Sequence, residues 1–180
     1  MKHDDIHIIK EILGGKSEQF EHILNRYGGQ VFNLIAHIVP CKEDAEELTQ
    51  DVFIKVFRLL SSFKEESSFS TWIYRIATNT ALSAARKRKH DTLHLDDAVY
   101  PNIPDEIIDE ALDNDSEEQL QRLSDAIEML NADERALITL YYMNEKPVAE
   151  VASILGLTVS NVKIKLLRTR KKLYLIMNDL

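Results

Sequence analysis

Pro147-Val148-Ala149-Glu150-Val151-Ala152-Ser153-Ile154-Leu155-Gly156-Leu157-Thr158-Val159-Ser160-Asn161-Val162-Lys163-Ile164-Lys165-Leu166 reads as helix, tight turn, helix. Pro147 suits a first helical position, Gly156 a left-handed turn, and Thr158 or Ser160 the cap of the second helix. A helix-turn-helix needs a small residue where its helices cross, a turn glycine and an apolar anchor on the second helix; Ala152, Gly156 and Val162 fill those places. With Val151, Leu155 and Leu157 turned inward, Asn161, Lys163, Lys165 and Arg168 are left to face outward. Lysine and arginine neutralise phosphates or donate to guanine edges, and Ser160 or Asn161 at the helix start can reach bases or backbone. The competing reading is an ordinary helical hairpin with a basic surface. The basic residues line the second helix and not the first, which favours DNA.

Working outward, Thr158–Asn178 holds Lys163, Lys165, Arg168, Arg170, Lys171 and Lys172 and no acid. Ser67–His90 is likewise acid-free, with Arg75, Arg86, Lys87, Arg88 and Lys89. Between them, Asp91–Glu117 carries ten acids, no lysine or arginine, and two of the four prolines. The chain's net charge of -8 is set by this middle segment: without its ten acids, 20 acids face 22 bases. So charged a segment with so few periodic apolar residues predicts a flexible linker, with at most a transient helix around Glu106–Leu112. The expected organisation is two small helical domains, 1–90 and 118–180, joined by 91–117, in an all-α protein. With 180 residues, five glycines and abundant Leu, Ile, Ala, Glu and Lys, the composition agrees.

The first half supplies the other helices. Ile6, Ile9, Ile12 and Leu13 recur at helical spacing before Gly14-Gly15. A long stripe from Phe20 through Ile23, Leu24, Tyr27, Val31, Leu34, Ile35 and Ile38 is expected to be interrupted at Gly28-Gly29 and to stop near Pro40. Lys42–Leu60 opens with carboxylates, which suit the positive end of a helix dipole, and turns apolar in its second half. Its acids form either a solvated face or a docking surface for a basic partner. Phe69–Leu82, capped by Ser68 or Ser70, runs into Arg86–Lys89. Phe69, Trp72 and Tyr74 are rings on which an unstacked base could lie, Arg75 and Arg86–Lys89 could hold a phosphate chain, and the Asn79 amide both donates and accepts. Equally, aromatics at helical spacing are commonly core. In the second half, Leu123, Ile127, Leu130 and Ala136, Leu137, Leu140, Tyr141 mark two helices, with Asn131 or Asp133 as the cap between them.

Catalytic constellations are absent from the sequence: the six histidines fall outside metal spacings, and no phosphate-binding glycine loop appears. No cofactor is expected, and an enzyme is the class with least support. The single cysteine, Cys41, cannot form an internal disulfide, the start lacks a secretory pattern, and no apolar run nears the roughly 20 residues needed to span a bilayer. The expected location is cytoplasmic, without membrane insertion.

Ala45-Glu46-Glu47-Leu48-Thr49-Gln50-Asp51-Val52-Phe53-Ile54-Lys55-Val56-Phe57, then Phe69-Ser70-Thr71-Trp72-Ile73-Tyr74-Arg75-Ile76-Ala77-Thr78-Asn79, then the terminal helix-turn-helix, resemble the extracytoplasmic-function sigma factors of bacteria over nearly the whole chain. The resemblance implies a dissociable specificity subunit that binds core RNA polymerase, through its clamp helices and flap, and promoter DNA, duplex and single-stranded, in response to an envelope or environmental signal. Asp44–Phe57 then corresponds to the polymerase-docking region, with Glu47, Gln50, Asp51 and Phe53 as contacts. Lys64–Asn79 corresponds to the part that captures a flipped base of the minus-ten element. Its expected readers are Phe69, Trp72, Arg75 and Asn79, with Arg86, Lys87, Arg88 and Lys89 holding the strand. Val148–Lys172 corresponds to the reader of the minus-thirty-five element, with Ser160, Asn161, Lys163, Lys165, Arg168, Lys171 and Lys172 toward DNA. Ile164 departs from the family, which often has a small or polar residue there, so base preference does not transfer at that position. Many family members are held inactive by an anti-sigma factor, which the resemblance makes an expected partner. The alternative is a stand-alone helix-turn-helix regulator that binds DNA unaided.

Overall fold

The computed structural model describes residues 2–88, 103–112 and 116–179. Among these, every regular element is helical: α1 (Lys2–Leu13), α2 (Phe20–Ile38), α3 (Lys42–Leu59), α4 (Phe69–Arg88), α5 (Asp105–Leu112), α6 (Glu117–Glu128), α7 (Ala132–Ile138), α8 (Val148–Leu155) and α9 (Val159–Asp179). A π-helical turn, Thr139–Met143, extends α7. Lys89 and the connector residues 91–102 and 113–115 lie outside the described residues, as does the side chain of Arg88.

Helices α2, α3 and α4 pack on one another, with α1 alongside. The stripes that meet are Ile23, Tyr27, Val31, Leu34, Ile35 and Ile38 of α2, Ala45, Val52, Phe53 and Val56 of α3, and Ile73, Tyr74, Ala77 and Ala81 of α4, all buried. Helix α1 is fastened by its buried Asp5, which accepts from the Tyr27 hydroxyl at 2.7 Å and from the Arg26 guanidinium. Burial and that carboxylate push the Tyr27 phenol well above its ordinary range. The second unit gathers α6, α7, α8 and α9 around Ala126, Leu137, Leu140, Val151, Ile154, Val162, Leu166 and Leu173.

Local signals resolve as follows. Ser68 caps α4, accepting from the Thr71 amide, and Thr158 caps α9, accepting from the Asn161 amide. Asn131 starts α7 in a capping box with Glu134. Pro147 sits at the cap of α8, one residue before its first turn, its carbonyl accepting from the amides of Glu150 and Val151. Two expectations change. Helix α2 runs unbroken through Gly28-Gly29, because the buried side chains on either side, Tyr27 and Val31, outweigh the roughly 1 kcal/mol helix penalty of each glycine. The acidic connector, expected to build no core, contributes α5, which packs on α9 with Ile108 fully buried.

The two units meet directly, α4 on α8 and α7 on α2. Arg135 is the most embedded link: its guanidinium donates to the carbonyls of Glu128 (3.1 Å), Leu130 (2.9 Å) and, across the seam, Ile38 (2.8 Å). Ile38 ends α2, where the helix dipole favours a cation. Burial pulls the Arg135 pKa down from its usual value. Arg86 and Asp133 pair at 3.1 Å on an exposed rim, and Lys146 lies 4.8 Å from the Tyr74 ring centre.

These placements give two expected outcomes in urea denaturation. Arg135→Ala removes three hydrogen bonds, two of them to partly buried carbonyls, and lowers unfolding free energy by about 2 kcal/mol, whereas Asp133→Ala at the solvated rim costs less than about 1 kcal/mol. Gly29→Ala stabilises by about 0.5–1 kcal/mol, since a methyl there meets no atom within 4 Å. A loss instead would mean that α2 needs its glycine.

Candidate nucleic-acid interface

The turn between α8 and α9 is set by Gly156, left-handed at φ 67° and ψ 32°, and closed by the Leu157 amide donating to the Ala152 carbonyl at 2.9 Å. Val151, Ala152 and Ile154 of α8 and Val162 and Leu166 of α9 are buried in the unit's core, which fixes the rotation of α9. Ser160, Asn161, Lys163, Lys165 and Arg168 consequently all stand in solvent. Lys171 is half-buried, and Lys172 is committed elsewhere: its ammonium bonds both Glu134 oxygens, at 3.0 and 2.7 Å, fastening α9 to the start of α7. The sequence offered no sign of that pairing across 38 residues.

On α4, the same burial logic turns Ile73, Ala77 and Ala81 inward and leaves Arg75, Asn79, Ser83, Arg86 and Lys87 outward. Spacings of three or four residues put them on one helical stripe. Two of its cations are engaged by the second unit. Arg75 donates from Nε to the Ser153 carbonyl (3.1 Å) and from Nη2 to the Ser153 hydroxyl (2.9 Å), and Arg86 holds Asp133. Beside them the Thr71 hydroxyl donates to Glu150 at 3.4 Å. Asn79 is exposed between the two arginines.

The aromatics divide. Phe69 is only 4% exposed, its ring edge-on to Tyr27 and Phe63 and stacked on Trp72 with centroids 5.6 Å apart. Trp72 is half-buried and keeps part of its surface in solvent. Phe69 therefore supports Trp72 from below. Next to this pair, the loop before α4 and helix α1 enclose a cleft of about 200 Å³ lined by Asp5, Phe63, Glu65, Glu66, Ser68 and Phe69. Glu65 bends the loop with φ at 60°, in the left-handed region. The part played by Asp5 was invisible in sequence, because α1 lies some sixty residues upstream.

Helix α3 presents Glu47, Gln50 and Asp51 to solvent. Phe53 is buried beneath them, and exposed apolar groups on the helix include Ile54, Leu59 and Phe57, the last edge-on to Phe20 at 5.1 Å. Phe20, Leu24, Gln50, Phe53, Ile54, Phe57 and Arg58 line a shallow groove of about 370 Å³ with almost wholly apolar walls. Ile54 and Phe57 are exposed apolar side chains on this face that the reading of the sequence did not single out. Their signal was an apolar pair continuing the acidic stripe. Among the described residues no cluster of three His, Cys, Asp or Glu side chains could hold a metal, and no helix is long and apolar enough to cross a membrane.

Comparison with known proteins agrees with this division. The family model of Sigma-70 region 2 matches residues 23–90, and that of Sigma-70 region 4 matches residues 120–173. The ECF RNA polymerase sigma factor SigW of Bacillus subtilis is 29% identical over 189 residues, covering 96% of each chain. The ECF RNA polymerase sigma-E factor of Escherichia coli K12 is 30% identical over 171 residues, covering 91% of this chain and 89% of that protein. Among solved structures, CnrH in complex with the cytosolic domain of CnrY has the same fold, with a TM-score of 0.67 at 20% identity, covering 96% of each chain. So does the sigma factor RpoE in complex with the anti-sigma factor NepR from Bartonella quintana, with a TM-score of 0.65 at 23% identity, covering 89% of this chain and 98% of that one. A chain that places two basic helical faces on two packed units, and matches such relatives from end to end, belongs to the extracytoplasmic-function family of RNA polymerase sigma factors.

Proposed function

We propose that this chain docks on core RNA polymerase through the exposed face of α3, reads a minus-thirty-five element in duplex DNA with α9, and captures the unpaired minus-ten strand with α4. The observation that carries the reading is the pair of acid-free cationic faces, one on each helical unit, each aimed by a buried stripe on the same helix. On α3, Glu47, Gln50 and Asp51 supply polar contacts to the polymerase clamp helices, while Ile54 and Phe57 supply the apolar area and Phe53 holds them up from within. The second unit meets the flap.

The organisation 1–90, 91–117 and 118–180 then has a mechanical meaning. Elements named minus ten and minus thirty-five lie about 25 base pairs apart, roughly 85 Å of duplex at about 3.4 Å per pair. Arg75 and Ser153 are 2.9 Å apart, so the two readers cannot occupy both elements while α4 and α8 touch. The units part when they dock, and with α5 kept on α9 the residues 89–104, roughly 50–60 Å long if fully extended, set how far. Parting releases Arg75 and Arg86 from Ser153 and Asp133, and both then face the melted strand with Lys87, Arg88 and Lys89. Polymerase holds both units near DNA, which turns two weak contacts into one strong one. Asn79 and Trp72 take the extruded base, offsetting an opening cost of a few kcal/mol.

Two structural relatives are complexes with CnrY and with the anti-sigma factor NepR. An anti-sigma factor that stabilises the packed units until an envelope or environmental signal arrives fits the seam described here. The chain works in the cytoplasm and needs no cofactor.

The test is transcription from a pool of randomised promoters by bacterial core polymerase, with and without the chain. Transcripts should share two spaced upstream elements. Asn79→Ala should relax the downstream element and Lys165→Ala the upstream one, each by about 1–3 kcal/mol. No gain in selectivity, with specific duplex binding by the chain alone, would make it a stand-alone regulator instead.

A further inference from the structure

Helix α9 buries Val162, Leu166, Thr169, Leu173 and Met177. At about 100° per residue, Ile164 lies about 180° around the helix from the middle of that stripe, and Leu167, about 60° from Ile164, falls beside it on the same outward side. Both are large, apolar and open to water, Ile164 at 49% exposure and Leu167 at 39%. Around them stand Ser160, Lys163, Lys165 and Arg168, all exposed, in a stretch without an acid. Single exposed hydrophobics are ordinary. A pair three residues apart at the centre of a cationic face is better explained by what that face meets, and the surrounding charge selects a polyanion.

The major groove of duplex DNA presents donors and acceptors at every pair but only one apolar group, the C5 methyl of thymine. Ile164 carries no polar atom. Opposite a G·C pair it would strip water from base-edge groups and return no hydrogen bond, whereas against a thymine methyl it removes apolar surface from water on both sides. We infer that Ile164, flanked by Leu167, is a specificity-determining residue that reads a thymine methyl group within the upstream promoter element. The inference rests on the proposed insertion of α9 into the major groove. Arg168, Lys165 and Asn161 on one flank, with Lys163 on the other, then read polar edges and phosphates, and the apolar pair imposes an A·T or T·A pair at the centre of the footprint.

Deoxyuridine lacks only the thymine methyl, so it isolates the contact. The experiment uses holoenzyme assembled from core polymerase and the full chain, on the upstream element selected from the randomised pool, with each thymine of either strand replaced singly by deoxyuridine. Competition binding should show one position where the replacement weakens holoenzyme binding by about three- to fivefold, as loss of one buried methyl predicts. In I164A the same replacement should make no difference at that position. L167A reports whether the neighbour shares the contact. Tolerance of deoxyuridine at every position overturns the inference, as does a penalty that persists in full in both variants, or an upstream element without an A·T pair. Those results would leave the α9 reading intact so long as R168A still relaxes upstream selectivity. If R168A has no effect there, α9 is not the reader and the inference falls with it.

Discussion

Arg75 projects from the middle of the face by which α4 would meet DNA, and its guanidinium is spent on the carbonyl and hydroxyl of Ser153, one turn before the glycine of the helix-turn-helix. Around that contact the rest of the arrangement is organised. It brings α8 against α4, which places Asp133 by Arg86 and Arg135 at the end of α2. None of these links is individually strong. The exposed pairs contribute little, and the embedded Arg135 bonds contribute more because their acceptors would otherwise be orphaned. The seam thus joins two units through one continuous cluster of buried apolar side chains, edged by polar bonds that can be exchanged for bonds to phosphate. Guanidinium groups suit this exchange, since the fork that satisfies Ser153 also fits a phosphate oxygen pair.

In the proposed reading the same helices serve stability and recognition through opposite faces. In α9, Val162 and Leu166 enter the core so that Ile164, Lys165 and Arg168 cannot. In α4, Ile73, Ala77 and Ala81 do the same for Arg75 and Asn79. Apolar periodicity therefore aims the cations, and a one-residue shift of either stripe would turn the outward face by about 100°, away from its present direction. Lys172 shows the limit of that economy: it lies in the basic stretch, yet its charge goes to Glu134, which also caps α7.

Much of this was legible in the sequence because it is local. Pro147, Gly156 and Thr158 mark the bounds of α8 and α9 by backbone chemistry alone, and segregated charge marks the two basic faces and the acidic connector. What was not legible is non-local. Nothing in the spacing of Arg75 and Ser153, 78 residues apart, announces their bond. Phe69 reads as a stacking ring or as core, and Phe53 by resemblance as a polymerase contact, and tertiary packing made both core. Gly28-Gly29 looked like a break and is continuous helix because Tyr27 and Val31 are buried. Ile164 was visible as a departure from the family, and only its exposure on the outward face of α9 gave that departure a chemical meaning.

The central claim is that the chain holds its two readers together when alone and separates them on a promoter. The most direct measurement is the distance between dyes at Lys10→Cys and Asn178→Cys, one exposed site on each unit, in a Cys41→Ser background. It would be taken by energy transfer in the free chain and in the promoter complex with core polymerase. The account predicts high transfer in the free chain and a separation that grows by tens of ångströms in the complex. An unchanged distance in a complex that transcribes would contradict it.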